Sequence, residues 1–338
     1  MDLQLSITYN ILLFIFSAIV VWVLCNKLSE IVDAIDLQFN LGAAFGGTIM
    51  LAIVTNLPEI AIVFNGALNG SIDLAVGNIL GGIAIQSTLL ILFDFVSRKR
   101  ETLPFSTLAS SETSILQGLF LVAILSMVLI GKQFPESFIV FRTTPPVFFI
   151  LILWILSILA MKQFQNSNLL KNTTIEEKNM PSKYSKKSAL TWLFIISVFV
   201  LFFGVILENT SNAIANHYNI NGVIFGATVL AFVTSLPEIS GGLAFVKSRS
   251  YTPIIDDIFG GNAFLPVLFV PTIFLTNNAI LPKADRIDLY LTGVAMLITI
   301  NYLIGMIIKK EQRYFGMGMD SWIALSIYLL SVIGLFFI

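Results

Sequence analysis

Hydrophobic residues in this chain run together in stretches of about 20, the length a helix needs to cross the hydrocarbon of a bilayer. Ten such stretches alternate with polar segments, at roughly 8–25, 41–68, 72–96, 113–131, 146–163, 188–207, 222–246, 252–277, 288–308 and 320–338. They predict an all-α membrane protein with ten transmembrane helices. The one long polar interruption, MKQFQNSNLLKNTTIEEKNMPSKYSKKS, runs from Met161 to Ser188 and separates five stretches from five. An odd number of spans per half turns the second half upside down relative to the first, which is the plan of an inverted repeat. The expected organisation is a first five-helix repeat at 1–164, a connecting loop at 165–187 and a second, inverted five-helix repeat at 188–338.

Composition strengthens this reading. The 338 residues are 57% hydrophobic and 12% charged, where a soluble domain carries roughly 25% charged residues. The distribution of charge then tests the span count. Numbering the loops alternately puts fifteen Lys and Arg on one side, from Lys27 through the central run Lys162–Lys187 to Arg313. Only Lys132, Arg142, Lys283 and Arg286 fall on the other. Cytoplasmic loops carry the basic excess, so the connecting loop is expected in the cytoplasm and both termini outside. A net charge of −1 gives no reason to expect a nucleic-acid partner; the partners expected are the lipid bilayer and inorganic cations. The start, MDLQLSITYN, lacks the positive segment of a cleavable signal, so 8–25 reads as a retained span of a cell-membrane protein. Cys25 is the only cysteine and reads as an inert buried thiol. His217, the only histidine, reads as a loop residue.

One phrase is written twice. Residues 51–60 read LAIVTNLPEI and residues 230–239 read LAFVTSLPEI, which places Glu59 and Glu238 179 residues apart. A carboxylate at mid-membrane depth is costly and points to an ion or proton site. Pro58 has no N–H for the carbonyl of Val54, and Pro237 has none for Val233, so each phrase breaks its helix. Carbonyls freed within a membrane persist only where something else satisfies them, and a bound cation does so. Thr55 lies four residues before Glu59, on the same helix face, with Asn56 beside it; Thr234 and Ser235 repeat the arrangement around Glu238. Each repeat thus offers a carboxylate, one or two side-chain oxygens and backbone oxygens. A hard cation such as calcium takes six to eight oxygens, about the number that two facing clusters supply.

A glycine-rich stretch follows each phrase: GNILGGIAIQ at 77–86 and DDIFGGNAFL at 256–265. Gly81 and Gly82 correspond to Gly260 and Gly261 under the same offset. Paired glycines serve close helix packing or local unwinding at a site, and both readings stand for these four. Gln86 offers an amide oxygen to the site, whereas its counterpart Leu265 offers none. Asn78 and Asn262 are further candidates. Asp256 and Asp257 occupy the positions of Gly77 and Asn78, either near a buried cavity or at a helix start by the interface.

These segments resemble the sodium/calcium exchangers of the calcium/cation antiporter superfamily. The family's two inverted alpha-repeats each carry G-T-S-x-P-E followed by G-N-x-x-G-S-N; here IVTNLPE (53–59) with GNILGG (77–82), and FVTSLPE (232–238) with FGGN (259–262), match them. The resemblance covers essentially the whole chain and puts the alpha-repeats at about 41–96 and 220–277. It implies that Thr55, Glu59, Thr234, Ser235 and Glu238 match cation ligands, and that Gln86 stands where the family has Asn. The chain departs from the pattern at Gly82 and Gly261, where the family has Ser, at Asn56 in place of Ser, and at Leu265 in place of Asp.

The expected metal ligands are therefore Thr55, Asn56, Glu59, Gln86, Thr234, Ser235 and Glu238, with no permanent cofactor. The expected function is secondary antiport of calcium, or another divalent cation, against sodium or protons. Alternating access would come from spans 1 and 6 sliding against the broken spans. Two glutamates balance one divalent cation, two monovalent cations or two protons, and each can hold a proton when no metal is bound, because burial disfavours the charged form. No P-loop motif is present, and no nucleophile–base pair or metal triad lies in the spans, which argues against a pump or an enzyme. Two other classes stay open on sequence alone: a cation channel, and a cation-binding sensor or scaffold that does not transport.

Overall fold

The structure, a computed structural model, describes residues 6–39, 50–135, 144–171, 184–276 and 279–338. Among the described residues every regular element is helical, apart from one isolated bridge between Tyr314 and Met317. The chain begins with α1 (Ile7–Phe39). The first phrase forms two helices, α2 (Leu51–Thr55) and α3 (Leu57–Asn69), which meet at Asn56. The long α4 (Ile72–Ser97) follows, then a single turn α5 (Phe105–Leu108), α6 (Glu112–Gly131) and α7 (Pro145–Lys171). The second half opens with α8 (Lys186–His217). A further span is built from α9 (Gly222–Phe225), a π-helical turn at Gly226–Leu230, α10 (Ala231–Thr234) and α11 (Leu236–Ser248). Then come α12 (Thr252–Phe264), a 3-10 turn at Leu265–Leu268 where Pro266 interrupts the ladder, α13 (Phe269–Thr276), α14 (Arg286–Ile308) and α15 (Met319–Gly334).

Among the described residues, seven helices are long and apolar enough to cross a membrane, and the pair Gly222–Thr234 and Leu236–Ser248, bent by 41°, adds an eighth. Of the other two expected spans, one is represented by α2 and α3, with 41–49 lying outside the described residues; the other is α15, an apolar helix of 16 residues. Three expectations need correction. Spans 1 and 6 were placed at 8–25 and 188–207, yet α1 continues to Phe39 and α8 to His217. Apolar length marks only the part within hydrocarbon, while the polar residues beyond it keep helical geometry because α1 and α8 pack along each other and α8 along α3. His217 is accordingly the last residue of α8, not a loop residue. Of the expected connecting loop, 165–171 continue α7, and 172–183 lie outside the described residues.

The two halves keep step. α1 starts at Ile7 and α8 at Lys186, while α3 runs Leu57–Asn69 and α11 Leu236–Ser248. Each pair is displaced by the 179 residues that separate the two glutamates. α4 and α12 lie at the centre of the bundle, with α14 beside α4 and α6. Large apolar side chains such as Phe16, Ile19, Phe194, Phe199, Leu297 and Ile304 are exposed, a surface suited to lipid. Close approach at the centre depends on glycine: a Cβ on Gly81 would stand 2.3 Å from Ala227 Cα, and one on Gly226 would stand 2.3 Å from the Leu74 carbonyl oxygen. This brings α4 against the π-helical turn and so sets the first glycine segment beside the second phrase.

Candidate cation site

Each phrase ends one helix and starts another. Asn56 (φ −87°, ψ 14°) and Ser235 (φ −85°, ψ 2°) occupy the sparsely allowed bridge region. Pro58 and Pro237 then fall in the opening positions of α3 and α11, where a missing N–H leaves no ladder bond unmade. Glu59 and Glu238 therefore stand in the first turn of their helices. The N-terminal end of a helix dipole favours negative charge, so each carboxylate sits at an end suited to an ionised acid.

Both acids are buried, Glu59 to 1% exposure and Glu238 to 4%. They are near enough to act on one another's charge, and both lie within electrostatic reach of the buried Cys25 thiol on α1. Three of their four carboxylate oxygens have no hydrogen-bond partner. The Thr234 hydroxyl interacts with the Glu59 carboxylate across the two phrases, but not in full hydrogen-bond geometry. It donates instead to the Ala231 carbonyl (3.3 Å).

The neighbouring polar groups follow one pattern. Thr55 Oγ1 donates to the Leu51 carbonyl (3.0 Å) and Ser235 Oγ to that of Ala231 (2.7 Å). Asn56 Nδ2 donates to the Ala52 carbonyl (2.6 Å). Each donor hydrogen is spent on the group's own helix, which leaves the oxygen lone pairs available; Asn56 Oδ1 is buried and unpartnered. Gln86 is buried on α4 with Nε2 unpartnered. Asn78 is buried with neither amide atom bonded, and Asn262 keeps Oδ1 free while Nδ2 donates to Ser87 Oγ (3.3 Å). All seven expected ligands are thus buried, and the structure brings the two glutamates and Thr234 together.

The glycine segments divide. Gly77 and Gly81 serve packing against Val223 and Ala227. Gly82 faces open space, with nothing within 4 Å of a Cβ built there, and Gly261 faces only Asn56 Nδ2, at 3.1 Å. Asp256 accepts from the Ser114 hydroxyl (2.5 Å), and Asp257 lies within electrostatic reach of Glu238. Sequence reasoning missed Ser87, and it missed Gln117, whose Nε2 donates to the Asp256 carbonyl (3.1 Å). The polar run at 86–88 was the one signal for Ser87; Gln117 stands alone in an apolar stretch and gives none.

This arrangement presents hard oxygen donors around two acids, chemistry suited to an alkali or alkaline-earth cation and not to a soft metal. The family description "Sodium/calcium exchanger protein" matches residues 9–174 and 188–337. The chain is similar to the Inner membrane protein YrbG of Escherichia coli (strain K12), 26% identical over 234 residues, which are 67% of this chain and 69% of that protein. Its fold is that of the H+/Ca2+ exchanger CAX, with a TM-score of 0.71 at 11% identity over 97% of this chain and 82% of the other. It is also that of the sodium-calcium exchanger NCX_Mj, with a TM-score of 0.62 at 19% identity over 97% and 99%. With both halves matched, the chain belongs to the sodium/calcium exchanger protein family and is a multi-pass membrane transporter built for cation antiport.

Proposed function

We propose that this protein is a secondary antiporter that exchanges calcium, or another divalent cation, for sodium or protons at a single site between Glu59 and Glu238. One observation carries the reading: two buried acids from duplicated, broken helices lie within electrostatic reach of one another with three carboxylate oxygens unpartnered. Two ionised carboxylates side by side in low dielectric repel strongly. A divalent cation, two monovalent cations or two protons relieve that repulsion, and competition among them at one site is what antiport requires. Thr55, Asn56, Gln86, Thr234 and Ser235 complete the proposed ligand set.

Leu265 is fully buried where the family's aspartate would stand, so the site holds two acidic charges and not three. That count favours an electroneutral cycle, one divalent cation against two monovalent ions. The organisation proposed is ten spans in two inverted repeats, one ending with α7 and the other starting with α8, joined on the cytoplasmic side, with both termini outside the cell membrane. α1 and α8 pack along each other beside the broken helices, which supports their moving as a pair.

The test is calcium flux in proteoliposomes. Uptake should follow an outward gradient of sodium or protons, stop when that gradient is removed, and be lost in Glu59→Gln and Glu238→Gln. Undiminished flux without any counter-ion would make the protein a channel and overturn the antiport reading.

A further inference from the structure

From the level of the cation site to the face at which α3 and α8 end, α8 lies along α3, and the contact changes character on the way. Near Glu59 the fit is steric: a Cβ on Gly204 would stand 2.6 Å from that of Ala61. One turn further along α8 it becomes electrostatic. The fully buried Glu208 carboxylate accepts the Asn65 amide at one oxygen and the Ser71 hydroxyl at the other. Asn209 Oδ1 accepts from Asn65 Nδ2 (3.0 Å) and from Asn69 Nδ2 (3.3 Å). Asn65 and Asn69 belong to α3, whereas Ser71 immediately precedes α4. A single carboxylate therefore ties α8 to both sides of the α3–α4 turn, about 9 Å of helix rise beyond Glu59.

The matching place on the partner helix is built differently. The offset of 179 sets Ser29 of α1 opposite Glu208, and Ser29 Oγ bonds back to the Cys25 carbonyl (3.2 Å). α1 meets α11 through neutral groups: Trp22 Nε1 donates to Ser240 Oγ (3.1 Å), which donates to Asn26 Oδ1 (2.5 Å). Hydrogen bonds to an ionised acceptor are roughly twice as strong as neutral ones, so α8 is held to α3 more strongly than α1 is held to α11.

We propose that Glu208 is a latch that closes the α3–α8 side of the cation site, and that the conformation seen here is the one with that side shut. The proposal rests on the alternating-access reading above, in which this side is the outer one. Swinging α8 away from α3 breaks the bonds to Asn65, Asn69 and Ser71 but lets water reach Glu208, so protein bonds are exchanged for hydration. The latch thus sets the population of the outward-open state and does not lock the protein. Because a ligand meets only the competent fraction, apparent affinity at that face falls with that fraction.

The test uses the full chain in membranes. Ser211, buried one turn beyond Glu208 with its hydroxyl unpartnered, becomes a reporter as Ser211→Cys in a Cys25→Ala background, labelled by an impermeant thiol reagent from either face. Glu208→Gln keeps the shape and can still pair with Asn65 and the Ser71 hydroxyl, but it removes the charge that strengthens both bonds. Labelling should rise about tenfold from one face only, equivalent to about 1.4 kcal/mol. The KM for calcium presented to that face should fall about tenfold while the KM at the opposite face does not fall. Should Glu208→Gln not fold, Asn65→Leu and Ser71→Ala remove the donors one at a time and should each give a smaller rise in labelling. Unchanged labelling, or equal KM shifts at both faces, overturns the latch. Labelling needs no transport: a rise in a protein that exchanges no cations would remove the antiport reading alone.

Discussion

Arg313 and Asp94 form an ion pair at 3.2 Å in which the side chains are only 9% and 0% exposed. Asp94 also accepts the backbone N–H groups of Phe105 (3.0 Å) and Gly318 (2.7 Å), while Arg313 donates to the carbonyls of Leu103 and Gly316 and to Ser97 Oγ. The pair thus clasps two loops, 98–104 and 309–318, to the end of α4. Removing one partner of a buried pair strands a charge and costs about 3–5 kcal/mol. Arg313→Met should therefore lower the melting temperature in detergent, and adding Asp94→Asn should recover part of the loss. Thermal unfolding followed by tryptophan fluorescence checks this; equal melting of the parent and Arg313→Met would show that the clasp contributes nothing.

Gly81 and Gly82 are neighbours with opposite expected tolerance. A Cβ at Gly81 would meet Ala227 Cα at 2.3 Å, and backbone has to move to admit it, whereas a Cβ at Gly82 meets nothing within 4 Å. Overpacking of this kind costs about 1–3 kcal/mol. Gly81→Ser should lower the melting temperature and the monodisperse yield, while Gly82→Ser should leave both near the parent. The open position at Gly82 is also where the resembled family carries Ser, so Gly82→Ser tests whether a hydroxyl there joins the proposed site. The sodium concentration that half-displaces calcium should then fall about fivefold, the order expected of one oxygen contact worth ~1 kcal/mol. Sodium competition against calcium binding measures it, and parent-like competition would place Gly82 away from the ions.

The acids were legible in the sequence because duplication repeats Glu59 as Glu238 inside apolar surroundings, where a charge has no bland explanation. The family and the helical membrane fold followed from the same segments. What stayed hidden depends on partners brought from far along the chain. Apolar length ended the sixth span at 207, yet Glu208, Thr210 and Ser211 are buried because α1 and α3 both pack along α8; no local pattern records that cover. Asp94 and Arg313 stand 219 residues apart, and each alone reads as a loop-end charge. The glycines were ambiguous between packing and site for a similar reason: whether Gly81 or Gly82 meets another backbone depends on where 222–230 crosses α4.

Calcium binding should depend on both glutamates, since each supplies charge that a neutral amide cannot. Glu59→Gln and Glu238→Gln should each weaken calcium binding by more than about 100-fold, above the 10–100-fold typical of losing an outer-shell partner. Gln86→Leu, which removes a neutral group, should weaken it less. Calorimetric titration of the purified protein with calcium distinguishes these cases. Parent-like affinity in both glutamate variants would move the site elsewhere.

Charge balance gives the sharpest test of the transport cycle. With Glu59 and Glu238 as the site's two acids and a buried Leu265 where a third would stand, a calcium ion and two monovalent ions neutralise the site equally. A cycle that swaps one for the other moves no net charge. Were one net charge to cross instead, each 100 mV would contribute about 2.3 kcal/mol, shifting the calcium accumulation ratio at equilibrium about 40-fold at 1.4 kcal/mol per tenfold. Proteoliposomes clamped with a potassium gradient and valinomycin should therefore reach the same accumulation ratio at zero and at 100 mV. Leu265→Asp, if it enters the site, adds the missing charge and should make the ratio respond to potential. A response in the parent would mean that a third charge, with Asp257 within reach of Glu238 as the first candidate, takes part in the cycle.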